Sequence, residues 1–361
     1  MSNLGSLIFY TLMYSFSAFL IYYGYLFRIN KIFVLAGLLI PIFIAAFRYD
    51  VGSDYMNYLL RFIYAKNSTW NKLLINFINV FEFGDLFLRK TVSLFGERVL
   101  YFGVTATIII IPFHNAVKKQ YRKISIGICF FLFFTNYFTL SLDRMRQMMA
   151  VSIIFWGLKY VFSGNAGKYF LVAIAAASVH TSALIALPIY FLWDNKKKHV
   201  SFLVIIVLFI IGIMLIMNVE NIISHIVQYN YFSRYLRYAI DDKFYAGSGF
   251  NILSLRWVLL CIIIIIHGKR LIKFDSKNEL FILFIVISAI LGIAGFRSPL
   301  IRRNLLYYEI SHIILLANLP QLYKQDAKQI VILIIIAYSV ILFVFTYYFI
   351  GSSDIIPYKI K

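Results

Sequence analysis

VILIIIAYSVILFVFTYYFI, residues 331–350, is a run of twenty residues without one charged side chain. At about 1.5 Å of rise per residue it makes a helix of roughly 30 Å, the thickness of a bilayer's hydrocarbon core. The rest of the chain repeats the pattern. Spans are expected at 5–27, 31–47, 98–113, 124–140, 145–162, 200–218, 252–267, 278–296, 300–319 and 328–350, ten in all. The 361 residues are 62% hydrophobic, 19% aromatic and 14% charged, with mean hydropathy +0.82. A soluble domain of this length needs more polar cover. The fold class is therefore all-α, a polytopic integral membrane protein.

A further apolar stretch, 168–193, carries His180 in its middle. Read as one span, it puts Lys196, Lys197 and Lys198 among loops otherwise rich in arginine. Read as a broken helical hairpin, it removes the conflict. Each arm is then ~12 residues, or ~18 Å, too short to cross. Pro188 and the polar run Ser178-Val179-His180-Thr181-Ser182 fit a break. Irregular backbone at membrane depth is tolerated where protein or a wet cavity covers it.

Lysine splits 14 to 6 between the two sets of loops, and KKQYRK (118–123), NKKK (195–198) and GKRLIKFDSK (268–277) mark the cytoplasmic side. The other side holds twelve arginines: Arg48, Arg61, Arg89, Arg98, Arg144, Arg146, Arg234, Arg237, Arg256, Arg297, Arg302 and Arg303. A planar, permanently charged fork suits diphosphate and carboxylate oxygens. The net charge of +20 resides in short loops with no basic tail, which favours anionic lipids or substrates over nucleic acid. Cys129 and Cys261 lie inside apolar spans as packing residues. The first helix reads as retained, since no positive residue precedes Arg28. Two larger outer loops result, about 48–97 and 219–251, and nothing divides the chain, so residues 1–361 are expected as a single transmembrane domain. Within the first loop, the amphipathic stretch 73–90 is expected along the membrane surface.

Four segments on the arginine side carry candidate chemistry. In FRYDVGSDYMNY (47–58), Asp50 and Asp54 are four apart, so a helix places both on one face with Tyr58 a turn on. The bland reading is a helix cap. There is no D-x-D and no His/Asp cluster at ligand spacing, so no metal and no cofactor are expected. In SLDRMRQMMA (141–150), Asp143, Arg144 and Arg146 open a span, where the helix terminus adds positive potential for an anion. The alternative is an interfacial anchor capped by Asp143. In VHTSALIALP (179–188), His180 is either a base or hydrogen-bond donor, or a tie to a neighbouring helix. In FRSPLIRRNLLYYEISH (296–312), Glu309 lies two turns below Arg302 and Arg303, with His312 three residues on. It is a functional carboxylate or a structural ion pair. Arg234, Tyr235 and Arg237 of the second loop are placed to close over the same space.

These segments resemble the EpsG-like family, related to the Wzy O-antigen polymerases of bacterial surface polysaccharide assembly. FRYDVGSDYMNY is similar to the family's R-x-x-x-G-x-D-x-x-x-Y, with Ser53 where the family often has Thr. RMRQMMAVSIIFWGLKY is similar to its R-Q-x-x-A helix, and VHTSALIALPIY to its H-x-S-A…P motif. The resemblance covers most of the chain. It implies a metal-independent glycosyltransferase of the bacterial cytoplasmic (inner) membrane. The growing glycan on undecaprenyl diphosphate would pass to a sugar hydroxyl of a lipid-linked repeat unit, as in O-antigen (lipopolysaccharide) or exopolysaccharide assembly. It also suggests a chain-length regulator protein as a partner. On that reading Arg48, Arg144, Arg146, Arg237, Arg302 and Arg303 bind diphosphate. His180, Asp50, Asp54 and Glu309 are candidate catalytic groups, and Tyr55, Tyr58 and Tyr235 stack on sugars. Two alternatives share part of this logic: a glycan ligase or other lipid-diphosphate glycosyltransferase, and a lipid-linked oligosaccharide flippase. A flippase needs charge lining a path from both faces, whereas the candidate charges here crowd one end.

Overall fold

The structure, a computed structural model, describes residues 1–27, 30–77, 82–118, 124–196, 199–200, 207, 255–294 and 304–361. They fall into two compact units. The first comprises Met1–Val161, Asn165–Leu187 and Leu316–Lys361; the second comprises Phe162–Gly164 and Pro188–Leu315.

The first unit is built on helices α1 (Asn3–Leu26), α2 (Lys31–Phe47), α3 (Tyr55–Asn67), α4 (Trp70–Phe77), α5 (Phe83–Phe95) and α6 (Arg98–Val117). It continues through α7 (Ile126–Ser141), most of α8 (Met145–Phe162), α9 (Ala166–Val179) and α14 (Gln325–Phe349). Among the described residues, α1, α6 and α14 are each long and apolar enough to cross a membrane. Their surfaces fit that environment. Helix α1 buries Tyr10, Tyr14, Ala18 and Ile21 along one stripe and leaves Leu4, Ile8, Leu12, Phe16 and Phe19 half exposed on the other. Helix α14 likewise exposes Leu333, Ile334 and Ile341. Such faces are costly in water and neutral in lipid.

With lipid outside, helices associate through close packing and hydrogen bonds. Ser17 Oγ donates to the Gly37 carbonyl at 2.6 Å, joining α1 to α2. Thr135 and Ser339 pair through their hydroxyls at 2.7 Å, joining α7 to α14. Helix α7 widens to a π-turn over Phe133–Phe138, which brings Phe133 flat onto Phe113 of α6 at 3.8 Å between ring centroids.

The apolar stretch around His180 breaks where its polar run lies. Helix α9 stops at Val179, His180 is extended (φ −149°), and a 3-10 helix runs over Thr181–Leu192. The second arm folds back, since the Tyr169 hydroxyl donates to the Ala186 carbonyl at 2.6 Å, seventeen residues on. With 14 and 12 residues, the arms measure roughly 21 and 24 Å, each short of a ~30 Å core.

In the second unit a two-residue hairpin pairs β1 (Trp193–Asp194) with β2 (His199–Val200). It precedes α10 (Leu255–Phe274) and α11 (Asn278–Ala294). The expected span 300–319 is not one continuous helix. Helix α12 (Leu306–Glu309) and α13 (His312–Asn318, of which Leu316–Asn318 belong to the first unit) are separated at Ile310–Ser311, where Ser311 Oγ donates to the Tyr308 carbonyl at 2.7 Å. A hydroxyl that returns to its own backbone competes with the helical ladder. The other expected spans overlie helices, except 200–218, which lies outside the described residues save 200 and 207.

Candidate active site

The loop 48–54 docks on the turn that opens α8. Arg48 is buried (1% exposed) and bends back from the end of α2. Its guanidinium donates to the carbonyls of Val51, at 3.2 Å, and Leu142, and lies 4.8 Å from the Phe102 ring centroid. Gly52 has φ +97°, and a Cβ there would sit 2.4 Å from the Leu142 oxygen, so both conformation and space require glycine. Asp143 completes the joint: its Oδ1 accepts from Ser53 Oγ at 2.6 Å and from the Asp54 N–H at 3.1 Å. Arg144 Nε is 3.9 Å from the other oxygen of Asp143, and about a third of its side chain is exposed.

Helix α3 begins only at Tyr55, so Asp50 does not share a helical face with Asp54. Asp50 is in the loop at φ +53° and half exposed, pairing with Lys359 Nζ at 3.0 Å. Asp54 accepts from Asn57 Nδ2 at 3.1 Å. Tyr55 is enclosed: it stacks on Phe102 at 5.0 Å, meets Tyr49 edge-on, and its hydroxyl accepts from Arg98 at 3.1 Å. Tyr58 is also buried; burial pushes its hydroxyl up to about 12 against the opposing pull of Arg146, and Asp54, Asp143 and Asp85 surround it.

The amphipathic stretch 73–90 packs differently from a helix with its charges in water. On α5, Phe83, Phe87, Leu94 and Phe95 face outward while Asp85, Arg89 and Lys90 are buried. Buried charges must be paired. Arg89 meets Asp85 at 3.0 Å, and Lys90 Nζ donates to the Ser68 carbonyl at 2.7 Å. Arg146 from α8 reaches the same place, 2.5 Å from Glu82 Oε2 and 3.7 Å from Asp85 Oδ2. It also faces Arg61, whose guanidinium is shifted down by burial and by the like charges of Arg146 and Arg89.

Glu82 joins this network to the broken hairpin. Its Oε1 accepts from the Thr181 N–H and hydroxyl, each at 3.2 Å, and lies 3.3 Å from His180 Nδ1. The Ser182 N–H also approaches Nδ1, at a longer 3.4 Å. The approach is possible because residue 84 is glycine: a Cβ there would lie 2.4 Å from Ser178 Oγ. Burial alone would resist ionisation of Glu82. The His180 hydrogen bond, the Arg146 charge and the Thr181 N–H outweigh it and hold the carboxyl well below the usual range. A depressed folded value means that this carboxylate's contribution to stability is complete above the ordinary carboxylate range. It is lost only as pH falls through the strongly acidic region. The stability deficit of Glu82→Gln, read by thermal unfolding in detergent, should thus not shrink between about pH 7 and about pH 5.

The His180 tautomer that carries its proton on Nδ1, toward Glu82 rather than accepting the longer Ser182 contact, leaves Nε2 as a proton acceptor, and among the described residues Nε2 has no hydrogen-bond partner. The first unit therefore brings together Asp54, Tyr58, Asp143, Arg144, Arg146 and His180. It adds Glu82, Asp85, Arg89 and Thr181, which the reading by segments passed over. A signal was available: Glu82, Asp85 and Arg89 recur at helical spacing, in a chain with only 15 acidic residues to pair 35 basic ones.

In the second unit, Glu309 is 1% exposed and pairs with Arg256 at 2.8 Å. The His312 ring nitrogen Nδ1 meets the Glu309 carbonyl at 2.9 Å. Arg234, Tyr235, Arg237, Arg302 and Arg303 lie outside the described residues.

Apolar helices with lipid-type surfaces, around a buried network of carboxylates, arginines and one histidine, define a polytopic membrane protein with a buried polar site. Comparison with known families makes this specific: the EpsG family model matches residues 31–360, and the chain belongs to that family. It is a membrane protein of the polysaccharide-polymerase type. No curated protein and no solved structure matches the chain.

Proposed function

We propose that the protein elongates a polysaccharide at the outer face of the bacterial cytoplasmic membrane. It would transfer the growing glycan from undecaprenyl diphosphate to a lipid-linked repeat unit. The observation that carries this reading is the Glu82–His180 pair beside Arg146. In the transfer, a hydroxyl oxygen of the acceptor sugar bonds to the anomeric carbon of the donor. The anomeric carbon–oxygen bond to diphosphate breaks, and the lipid diphosphate leaves with the electron pair. His180 Nε2 takes the hydroxyl proton, and Glu82 fixes the tautomer and stabilises the imidazolium. Arg144 contacts the departing diphosphate through its fork, and Arg146 adds charge while holding Glu82 in place. Asp54 and Tyr58 orient the acceptor sugar. Arg48 and Tyr55 support the site from inside the scaffold. The family resemblance alone makes Arg237, Arg302 and Arg303 candidates for diphosphate and Tyr235 for sugar, and a chain-length regulator a candidate partner.

The test is the surface glycan of a strain lacking the gene. Loss of a polymerase leaves single repeat units on the acceptor, and the reading expects that profile. Loss of a flippase or ligase leaves no surface units, and that outcome would replace this reading.

A further inference from the structure

Loop 48–54, which carries the R-x-x-x-G-x-D pattern, is held on one side by Asp143 and on the other by a segment some 300 residues away in sequence. After α14 the chain turns through Gly351 (φ +66°), Ser353 (φ +65°) and Asp354 (φ +49°) and runs back over the loop. Gly52 N–H donates to the Asp354 carbonyl at 3.0 Å, Ser53 N–H to the Ser353 carbonyl at 2.9 Å, and Tyr49 N–H to the Lys359 carbonyl at 2.9 Å. An antiparallel bridge pairs Arg48 with Ile360. Lys359 adds its ion pair with Asp50. The segment is itself anchored: Tyr358 is 2% exposed, its hydroxyl donates to the Ile44 carbonyl at 2.9 Å, and its N–H donates to Ser6 Oγ at 2.8 Å. Its ring stacks on Phe9 at 5.0 Å.

Three of the loop's backbone donors thus have their acceptors in 351–361, and the next, Asp54 N–H, has its acceptor in Asp143. Remove the segment and these N–H groups lose their partners beside Val51, which is fully buried. Positive φ at Asp50, Ser353 and Asp354 shows that both sides of the joint adopt costly backbone, which persists where surroundings over-determine it.

We propose that residues 351–361 form a positioning strap. The strap holds loop 48–54 in the geometry in which Ser53 and Asp54 engage Asp143, and so fixes the turn that carries Arg144 and the first residues of α8, Arg146 among them. It touches no substrate and acts through the loop. Its effect on glycan elongation rests on the function proposed above; its effect on the loop does not.

The experiment separates the two. A Val51→Cys reporter is placed in a Cys261→Ala background, with Cys129 left because it is buried. The solubilised full-length protein is labelled with a maleimide. Tyr358→Ala, or Ser353→Pro, which forbids the positive φ at the turn, should speed labelling about tenfold by freeing the loop. The same substitutions should shorten the glycan made in cells. In a separate chain that keeps Val51, a Tyr49→Cys/Lys359→Cys pair added to Tyr358→Ala should restore elongation when oxidised and lose it when reduced. Equal labelling rates in parent and variants would overturn the strap, whatever the glycan shows. Faster labelling with unchanged glycan length would overturn its role in positioning the site. A parent chain that labels slowly but makes no polymer would count against the polymerase reading and leave the strap standing.

Discussion

His180→Ala is expected to lower the rate of glycan elongation by about 10²–10⁴-fold, the usual contribution of a positioned general base. The level of protein in the membrane should stay near that of the parent. The histidine sits at a break already present in the backbone, between α9 and the 3-10 arm, so removing its ring disturbs no continuous helix. What disappears is the acceptor nitrogen that Glu82 orients. Glu82→Gln should fall short of the full loss, because the ring remains. Glu82 meets Arg146 with Oε2 and His180 with Oε1; an amide that keeps its oxygen on Arg146 turns an NH2 donor toward His180 Nδ1, so the ring loses its fixed tautomer. The rate of consumption of a lipid-linked repeat unit in vesicles measures both. A His180→Ala enzyme within about threefold of the parent would remove the base from this mechanism.

The second large effect is expected at Arg146, and the two obvious substitutions should differ in kind. Arg146→Ala leaves Glu82 and Asp85 buried with one cation fewer between them. Breaking a buried pair from one side costs about 3–5 kcal/mol, which should appear as a lowered melting temperature in detergent. Arg146→Lys keeps a charge and most of the length, so it should be far less destabilising. It loses the planar guanidinium whose Nη1 lies against both Glu82 Oε2 and Asp85 Oδ2. Elongation should then fall at least about tenfold in a protein that still folds. Pairing Arg146→Ala with Glu82→Gln should recover part of the stability and none of the activity. Recovery of both would mean that Arg146 serves only to neutralise Glu82.

What the sequence made legible was whatever a single segment can carry. The apolar run at 331–350 announces a membrane helix unaided. His180 and its hydroxyl neighbours mark a helix break because polar residues inside an apolar stretch need a reason to be there, and the lysine cluster at 196–198 gave the break a topological motive. The arginines at the start of α8 were visible as a charged helix opening. Less legible was which way each charge turns. Arg48 reads as a ligand contact from its position beyond a span, yet its guanidinium is spent on two backbone carbonyls and an aromatic ring. Asp85 and Arg89 were legible only as part of an amphipathic stretch, and in the structure they are buried while Phe83 and Phe87 face outward. In lipid the apolar face is the one that can be left uncovered, so amphipathicity alone does not say which side is in. Glu82 was missed because its partners, Arg146 and Thr181, are 64 and 99 residues away. No spacing rule reaches that far.

The central claim is elongation on a lipid diphosphate, and reconstitution tests it most directly. The purified protein would be placed in vesicles with the lipid-linked repeat unit extracted from the gene-deleted strain. The account predicts glycans of two, three and more units, with one polyprenyl diphosphate released for each bond formed. Transfer of single units to a lipid-free acceptor, or movement of the unit across the vesicle without any new bond, would contradict it.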